Sequence, residues 1–310
     1  MARYILLFNR RSGAHQRGSG SADIRGRVEG AFLAGGHEVE SRLIEPRYLG
    51  PAIRQAVADA PDGVIAAGGD GTVSAVARHL GGTDIALGIL PMGTFNLAAR
   101  DIGVPLDIEE AARFLAKAGP HPVDVLDVNG HCCLCTTILG FYPEFARTFE
   151  RRDHGGQWWR KAIKLIRLLP KTFTRSRAID LSWQAGEAGG AAHTKFSAFV
   201  PGRYRASTGV IPARTGFRSG MLTAYIGRQK TSAAAMRAML DYVFGRQEEN
   251  DGLTMFHAPR AELHGGRSRH GTVMIDGEIL RLSFPIHLEI LPGHLKVLTT
   301  AENLTDSDGA

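Results

Sequence analysis

The sequence predicts an α/β protein in two parts, an open parallel sheet followed by an antiparallel β-sandwich. Apolar runs alternate with helical patterns through the first third, short β-type runs crowd the chain after Pro122, and glycine-rich loops stand where early strands end. The 310 residues are enough for two domains. A hydrophobic share of 44% is enough to fill their cores.

Tyr4–Asn9 reads as a buried strand ending in a polar turn, and a helical stretch follows over about Ile24–Ala34. His37–Leu43 forms a second strand and Tyr48–Ala58 a second helix. Gly63–Ala67 is a short apolar run bounded by glycines, helical spacing resumes at Val73, Val76, Ala77 and Leu80, and Ile85–Leu90 repeats the strand signal. Strands separated by helices pair in parallel through right-handed crossovers, which gives the open sheet.

Beyond Pro122 the β-type runs are Val123–Val128, Leu134–Leu139, Ala178–Trp183, Phe196–Val200, Met221–Ile226, Thr272–Ile275, Leu280–Phe284, Ile286–Ile290 and Leu295–Leu298. Turn residues divide most of them, as in an antiparallel sandwich. Gln157–Leu169 and Thr231–Phe244 interrupt with helical spacing, while the Gly/Ala tract Ala185–Ala192 reads as a loop and the tail after Ala301 as a frayed end. Cys132, Cys133 and Cys135 share one apolar run. An odd, clustered set makes no disulfide framework and lacks the spacing of a tetrahedral metal grip, so they read as small residues of a buried strand.

Lysine and arginine number 37 against 31 acidic residues, a surplus of six. Such a balance suits an anionic partner, whether nucleotide, phospholipid headgroup or nucleic acid, and equally suits an enzyme with none. No nucleic-acid reader motif or aromatic-interleaved basic platform is present, so that partner is set aside. The opening MARYILLFNRRSG does not read as a signal peptide, because its apolar core Tyr4–Phe8 is short and the charges follow it. No run has the length of a membrane span. The expected location is the cytoplasm, with a role on the inner membrane surface left open, as is a homodimer.

The chemistry concentrates in the loops. Gly68-Gly69-Asp70-Gly71-Thr72 lies between a strand and a helix. Glycines there let the chain turn and bring amide N–H groups close to an anion, with the helix N-terminus adding a favourable dipole. Asp70 would repel phosphate, so it suits a magnesium ion held through water, or the orientation of a hydroxyl. The plainer reading, a glycine-rich turn with a capping aspartate, stays open. Gly93-Thr94-Phe95-Asn96 follows the next strand in the same way, and Thr94 and Asn96 supply neutral donors for phosphate or ribose oxygens. Asn9-Arg10-Arg11-Ser12-Gly13 after the first strand adds a third element, with Asn9 and Ser12 as its polar contributors. None of these is a Walker A loop, and no GxGxxG follows a strand.

The order and spacing of GGDGT and GTFN resemble the diacylglycerol kinase catalytic family, related more distantly to sphingosine kinases and NAD kinases. The resemblance continues through LGFYPEF at Leu139–Phe145 and IDGEILRLSFPIHLEILPGHLKVL at Ile275–Leu298. It implies an α/β nucleotide-binding domain over residues 1–125, with 296–310 packing back on it, a β-sandwich lipid domain over 126–295, and a cleft between them. It also implies ATP and Mg²⁺ as cofactors and a lipid hydroxyl, of diacylglycerol or a similar lipid, as acceptor. Gly68–Thr72, Gly93, Thr94, Asn96, Asn9 and Ser12 would bind nucleotide. Asp276 and Glu278 match the family's acidic pair, with Asp276 as general base and Glu278 or water-linked Asp70 toward the metal. By itself Asp276-Gly277 also reads as a hairpin turn.

Several positions depart from the family's pattern. Leu97 follows the asparagine where many relatives carry aspartate, and Ser219 stands where many carry an acid. Ala75 replaces a glutamate, and Gly13-Ala14 replaces a glycine-lysine, leaving His15 or Arg17 as substitutes. Leu97 and Ser219 keep open a lipid- and nucleotide-binding protein with weakened catalysis, while the shared GGDG keeps open a NAD-kinase-like small-molecule kinase, against which the Asp276-Gly277-Glu278 segment and LGFYP argue. Gln157–Leu169 gathers Trp158, Trp159, Ala162, Ile163, Ile166 and Leu169 toward one face, with Arg160, Lys161, Lys164 and Arg167 largely opposite. That pattern suits either an interfacial helix on anionic lipid or an ordinary packed helix.

Overall fold

A computed structural model describes residues 1–10, 21–93, 96–140, 178–205, 213–228 and 252–304, with 234, 236, 237 and 241 besides. Ser12, Thr94, Gly13 to Arg17, Phe141–Phe145, Gln157–Leu169, most of Thr231–Phe244 and the last six residues lie outside this set. The chain divides into two units, Met1–Val125 with Thr215–Ser219 and Leu291–Ala310, and Leu126–Arg214 with Gly220–Ile290.

The first unit is built from β1 (Arg3–Asn9), α1 (Ser21–Ala34), β2 (Glu38–Ile44), α2 (Leu49–Ala58), β3 (Gly63–Gly68), α3 (Asp70–Leu80), β4 (Ala86–Pro91), α4 (Leu97–Asp101) and α5 (Ile108–Leu115). Its strands run parallel in the order β2-β1-β3-β4. β3 and β4 are buried at every residue and β1 at every interior one, as a parallel sheet with both faces covered requires. The chain moves from β1 outward to β2 and returns past β1 to β3, so the winding reverses between β1 and β3. Open α/β sheets hold ligands at the carboxyl ends of strands beside such a reversal. Asn9, Gly68 and Pro91 are the last residues of β1, β3 and β4.

Among the described residues three strands pass from one unit to the other: β5 (Gly119–Val128), the three-residue β12 (Ala213–Thr215) and the later β18 (Ile286–Thr299). The second unit adds β6 (His131–Cys133), β7 (Thr137–Gly140), β8 (Ile179–Ala185), β9 (Ala188–Thr194), β10 (Phe196–Pro201), β11 (Arg203–Arg205), β13 (Leu222–Gly227), β14 (Leu253–Ala258), β15 (Arg260–His264), β16 (His270–Ile275) and β17 (Glu278–Ser283). β14-β13-β10-β7-β16-β17 form one antiparallel sheet. β15, β8 and β9 pair antiparallel with the first half of β18 to form the opposing layer. Leu139, Phe199, Ala224 and Val273 from the first sheet share one buried cluster with Leu181, Trp183, Leu263 and Leu288 from the second. That is the sandwich expected of alternating inward-facing residues.

The structure departs from the sequence reading in local places. Ala185–Ala192 is not a loop: β8 runs to Ala185, and β9 resumes at Ala188 after a tight turn with Gly186 at φ 62°. Small residues are tolerated in β9 because Gly190 lies against the Trp183 ring, where a side chain would find no room. Residues 253–264, read as no element, form β14 and β15. The run Leu134–Leu139 becomes strand only from Thr137, for a reason given below.

Candidate functional site

The glycine loops meet in the first unit. A Cβ at Gly68 would lie 2.5 Å from Thr72 Cβ and Oγ1, so only glycine lets β3 turn into α3 here. A Cβ at Gly93 would stand 2.6 Å from Gly69 Cα and 2.8 Å from Asn96 Oδ1. The loops after β3 and β4 therefore approach backbone to backbone, with no side chain between them. Glycine backbone exposed at Gly71 and Gly93, beside the N-terminus of an eleven-residue helix, is suited to phosphate oxygens.

Side chains lock these loops together. The Asp70 carboxylate accepts the Leu97 N–H on Oδ1 at 2.7 Å and the Asn96 N–H on Oδ2 at 3.0 Å. Asn96 adopts the left-handed conformation, φ 51° and ψ 47°. Its Oδ1 accepts the Gly93 N–H at 2.8 Å and its Nδ2 donates to the Gly93 carbonyl at 3.1 Å. Across the reversal between β1 and β3, Asn9 Nδ2 donates to Thr72 Oγ1 at 3.0 Å. Asn9, Gly68, Gly69, Asp70, Thr72, Gly93 and Asn96 thus come together at the strand ends, with Gly71 exposed in the first turn of α3. Burial raises the Asp70 pKa above the usual carboxylate value, against the amides of Leu97, Asn96 and Ala98 that lower it.

A second arrangement lies in the sandwich unit. Ile275 pairs with Glu278, so Asp276-Gly277 is a two-residue turn with φ 46° and 90° at its two residues, as a tight hairpin of this length requires. The turn faces Asp276 and Glu278 differently: Asp276 is 3% exposed and buried in the sandwich, whereas Glu278 is exposed. The Asp276 carboxylate accepts the N–H groups of Leu134 at 2.6 Å on Oδ2, and of Cys135 at 2.8 Å and Thr136 at 3.0 Å on Oδ1. The Cys133 thiol donates to Oδ1 at 3.5 Å. These amides are spent on Asp276, which is why β7 begins only at Thr137. Burial raises the Asp276 pKa, opposed by the three amides and the thiol. It also pushes the Cys133 thiol well up, with the Asp276 charge adding to the effect.

The same loop is held from its other side. The buried Arg214 donates from Nη1 to the Leu134 carbonyl at 2.8 Å, and Tyr204 Oη donates to the Cys135 carbonyl at 3.3 Å. Neither residue was singled out from the sequence, since nothing local marks an arginine or tyrosine as a loop clamp. The three cysteines are free thiols, with Cys133 and Cys135 buried; Cys133 ends β6, while Cys135 lies in the clamped loop beyond it.

The glycine loops suit a nucleotide's phosphates. Among the described residues no three His, Cys, Asp or Glu side chains converge on a common point. Leu97 offers Asp70 its backbone N–H and no second carboxylate. Among the described residues no helix is long and apolar enough to cross a membrane.

Fold and site define an α/β protein with glycine-rich loops at its parallel strand ends, joined in the chain to an antiparallel sandwich. Residues 3–128 match the diacylglycerol kinase catalytic domain. A protein of Stenotrophomonas maltophilia named "Probable lipid kinase YegS-like" is 33% identical over 138 residues, covering 41% of this chain and 41% of its own. An uncharacterized protein of Synechocystis is 24% identical over 246 residues, covering 77% of this chain and 55% of its own. The chain thus spans about half, or less, of the length of these relatives. A solved structure described as a diacylglycerol kinase from Bacillus anthracis shares the fold at TM-score 0.71 and 19% identity, over 98% of both chains.

Proposed function

We propose that the chain is an ATP-dependent lipid kinase that transfers the γ-phosphate to a hydroxyl of diacylglycerol or a similar lipid. The observation that carries this reading is the backbone-on-backbone approach of Gly69 and Gly93, which brings the loops after β3 and β4 together with no side chain between the two glycines. Gly68–Thr72, Gly93, Thr94 and Asn96 receive the nucleotide, with Asn9 bracing Thr72 and Ser12 adding a hydroxyl from the loop after β1. The names borne by the relatives support the lipid acceptor. A bond forms between the lipid oxygen and the γ-phosphorus, the bond from that phosphorus to the ADP oxygen breaks, and the hydroxyl proton passes to Asp276.

Phosphoryl transfer asks a protein mainly for positioning and charge stabilisation. For Asp276 the support is physical: burial raises its pKa toward the range useful to a base, and Oδ2 receives one described amide, leaving acceptor capacity for a hydroxyl. Glu278, exposed beside it, would meet solvent-side charge. Gln157–Leu169, outside the described residues, would rest on anionic lipid at the inner membrane face.

The test is incubation with labelled ATP, magnesium and a panel of lipids in detergent micelles, with Asp276→Asn as control. Labelled lipid from the wild type alone is expected. Equal product from both proteins would remove Asp276 as the base, and no product from any lipid would leave a binding protein in place of a kinase.

A further inference from the structure

We infer that Asp70 is a positioning residue, which holds the loop after β4 against the loop after β3, and that the divalent cation enters with the nucleotide and does not reside on the protein. This rests on the nucleotide reading above and deepens it. Both carboxylate oxygens of Asp70 already accept a main-chain N–H, from Leu97 and from Asn96. Asn96 would normally cap α4 with its side chain, but it turns that side chain back onto Gly93 and leaves the cap without a side-chain bond. Asp70, 27 residues earlier than Leu97, takes over the task and satisfies amides that a helix start otherwise leaves unpaired.

The geometry explains why a charge is used. Asn96 stands in the left-handed region, which an asparagine tolerates but which surrounding structure must enforce. Gly93 has no side chain with which to grip Gly69, so the contact between the two loops depends on bonds made beside it. Two amide bonds to one ionised carboxylate are short and stronger than neutral ones. A cation drawn onto the remaining lone pairs of these oxygens would withdraw charge from the two amide bonds and weaken them. Magnesium also seeks octahedral oxygen ligation, usually from one or two carboxylates plus substrate phosphates. Leu97, whose N–H holds Asp70, brings no carboxylate of its own. The phosphates of ATP supply the missing oxygens.

The experiment uses the full chain as wild type, Asp70→Asn and Asp70→Ala, with ADP binding followed by calorimetry in EDTA and again in Mg²⁺. Asparagine keeps the shape but turns an NH₂ toward one of the two amides. Expected is a loss of ADP affinity of about tenfold, the scale of one charge-assisted hydrogen bond, by the same factor with and without Mg²⁺. Mn²⁺ alone should give no binding isotherm with the wild type. Hydrogen exchange adds an arm that needs no nucleotide: the amides of Asn96 and Leu97 should lose protection in both variants, while those of β1 and β3 keep theirs. A loss of affinity confined to Mg²⁺, Mn²⁺ bound by the wild type and not by Asp70→Asn, or unchanged protection at Asn96 and Leu97 would overturn the proposal. Failure of wild-type protein to bind ADP in either buffer would instead overturn the nucleotide reading, with the exchange arm still deciding the role of Asp70.

Discussion

Asp70 and Leu97 are joined by a 2.7 Å hydrogen bond from the Leu97 N–H to the Asp70 carboxylate, across 27 positions of sequence. The bond ties the first turn of α3 to the first turn of α4, and so ties the ends of two neighbouring parallel strands. It gives Leu97 a role that its side chain does not suggest. Where the sequence lacks an aspartate after Asn96, the main chain at that position is occupied in holding Asp70.

Gly93→Ala places a methyl group 2.6 Å from Gly69 Cα, and neither atom belongs to a flexible side chain. Overpacking of this kind costs roughly 1–3 kcal/mol, so the first unit is expected to melt earlier. Gly71→Ala, where a methyl group meets nothing within 4 Å, should be neutral or stabilise α3 by up to about 1 kcal/mol. Thermal denaturation of both variants checks the pair; equal melting temperatures would mean that the loops do not meet as described.

Asp276→Ala leaves three buried amides without their acceptor. At ~1–3 kcal/mol for each unsatisfied group, a loss of about 3 kcal/mol or more is expected in urea unfolding of the sandwich unit.

The pH dependence of that residue has a definite sign. Its folded pKa is raised, so between the unfolded value near 4 and the higher folded value the native state binds more protons than the unfolded state. Stability contributed by Asp276 is therefore greatest below about pH 4 and declines as the pH rises through the folded pKa. Unfolding free energies of wild type and Asp276→Asn, measured across this range, should differ by an amount that shifts against the wild type with rising pH. The opposite slope would show that the three amides outweigh burial.

Replacing Trp158 and Trp159 by alanine should weaken co-sedimentation with vesicles rich in anionic lipid by about tenfold, and high salt should weaken the wild type further. Unchanged sedimentation would make Gln157–Leu169 an ordinary packed helix.

Much of the architecture was legible because it depends on local pattern. Continuous apolar runs such as Gly63–Ala67 and Ile85–Leu90 mark strands covered on both faces, and each is followed by a glycine loop, so the parallel sheet and the loops at its strand ends could be read directly. The hairpin at Asp276-Gly277 was equally readable, because few residue pairs accept two positive φ angles. Small residues misled at Ala185–Ala192, where glycine and alanine form an edge strand because the Trp183 ring fills the space that side chains would take.

By itself, then, the sequence determined the alternation of strands and helices in the first unit, the glycine loops at its strand ends and the likeness of residues 3–128 to the diacylglycerol kinase catalytic domain. Only the tertiary structure decided that Asp70 grips the backbone of the next loop, and that Asp276 turns inward onto the amides of Leu134–Thr136 while Glu278 faces out. The physical reason is the same in both cases. A carboxylate's partners here are main-chain N–H groups far away in sequence, and every residue but proline carries one. No pattern of side chains announces which amide will be left unpaired until the chain has folded.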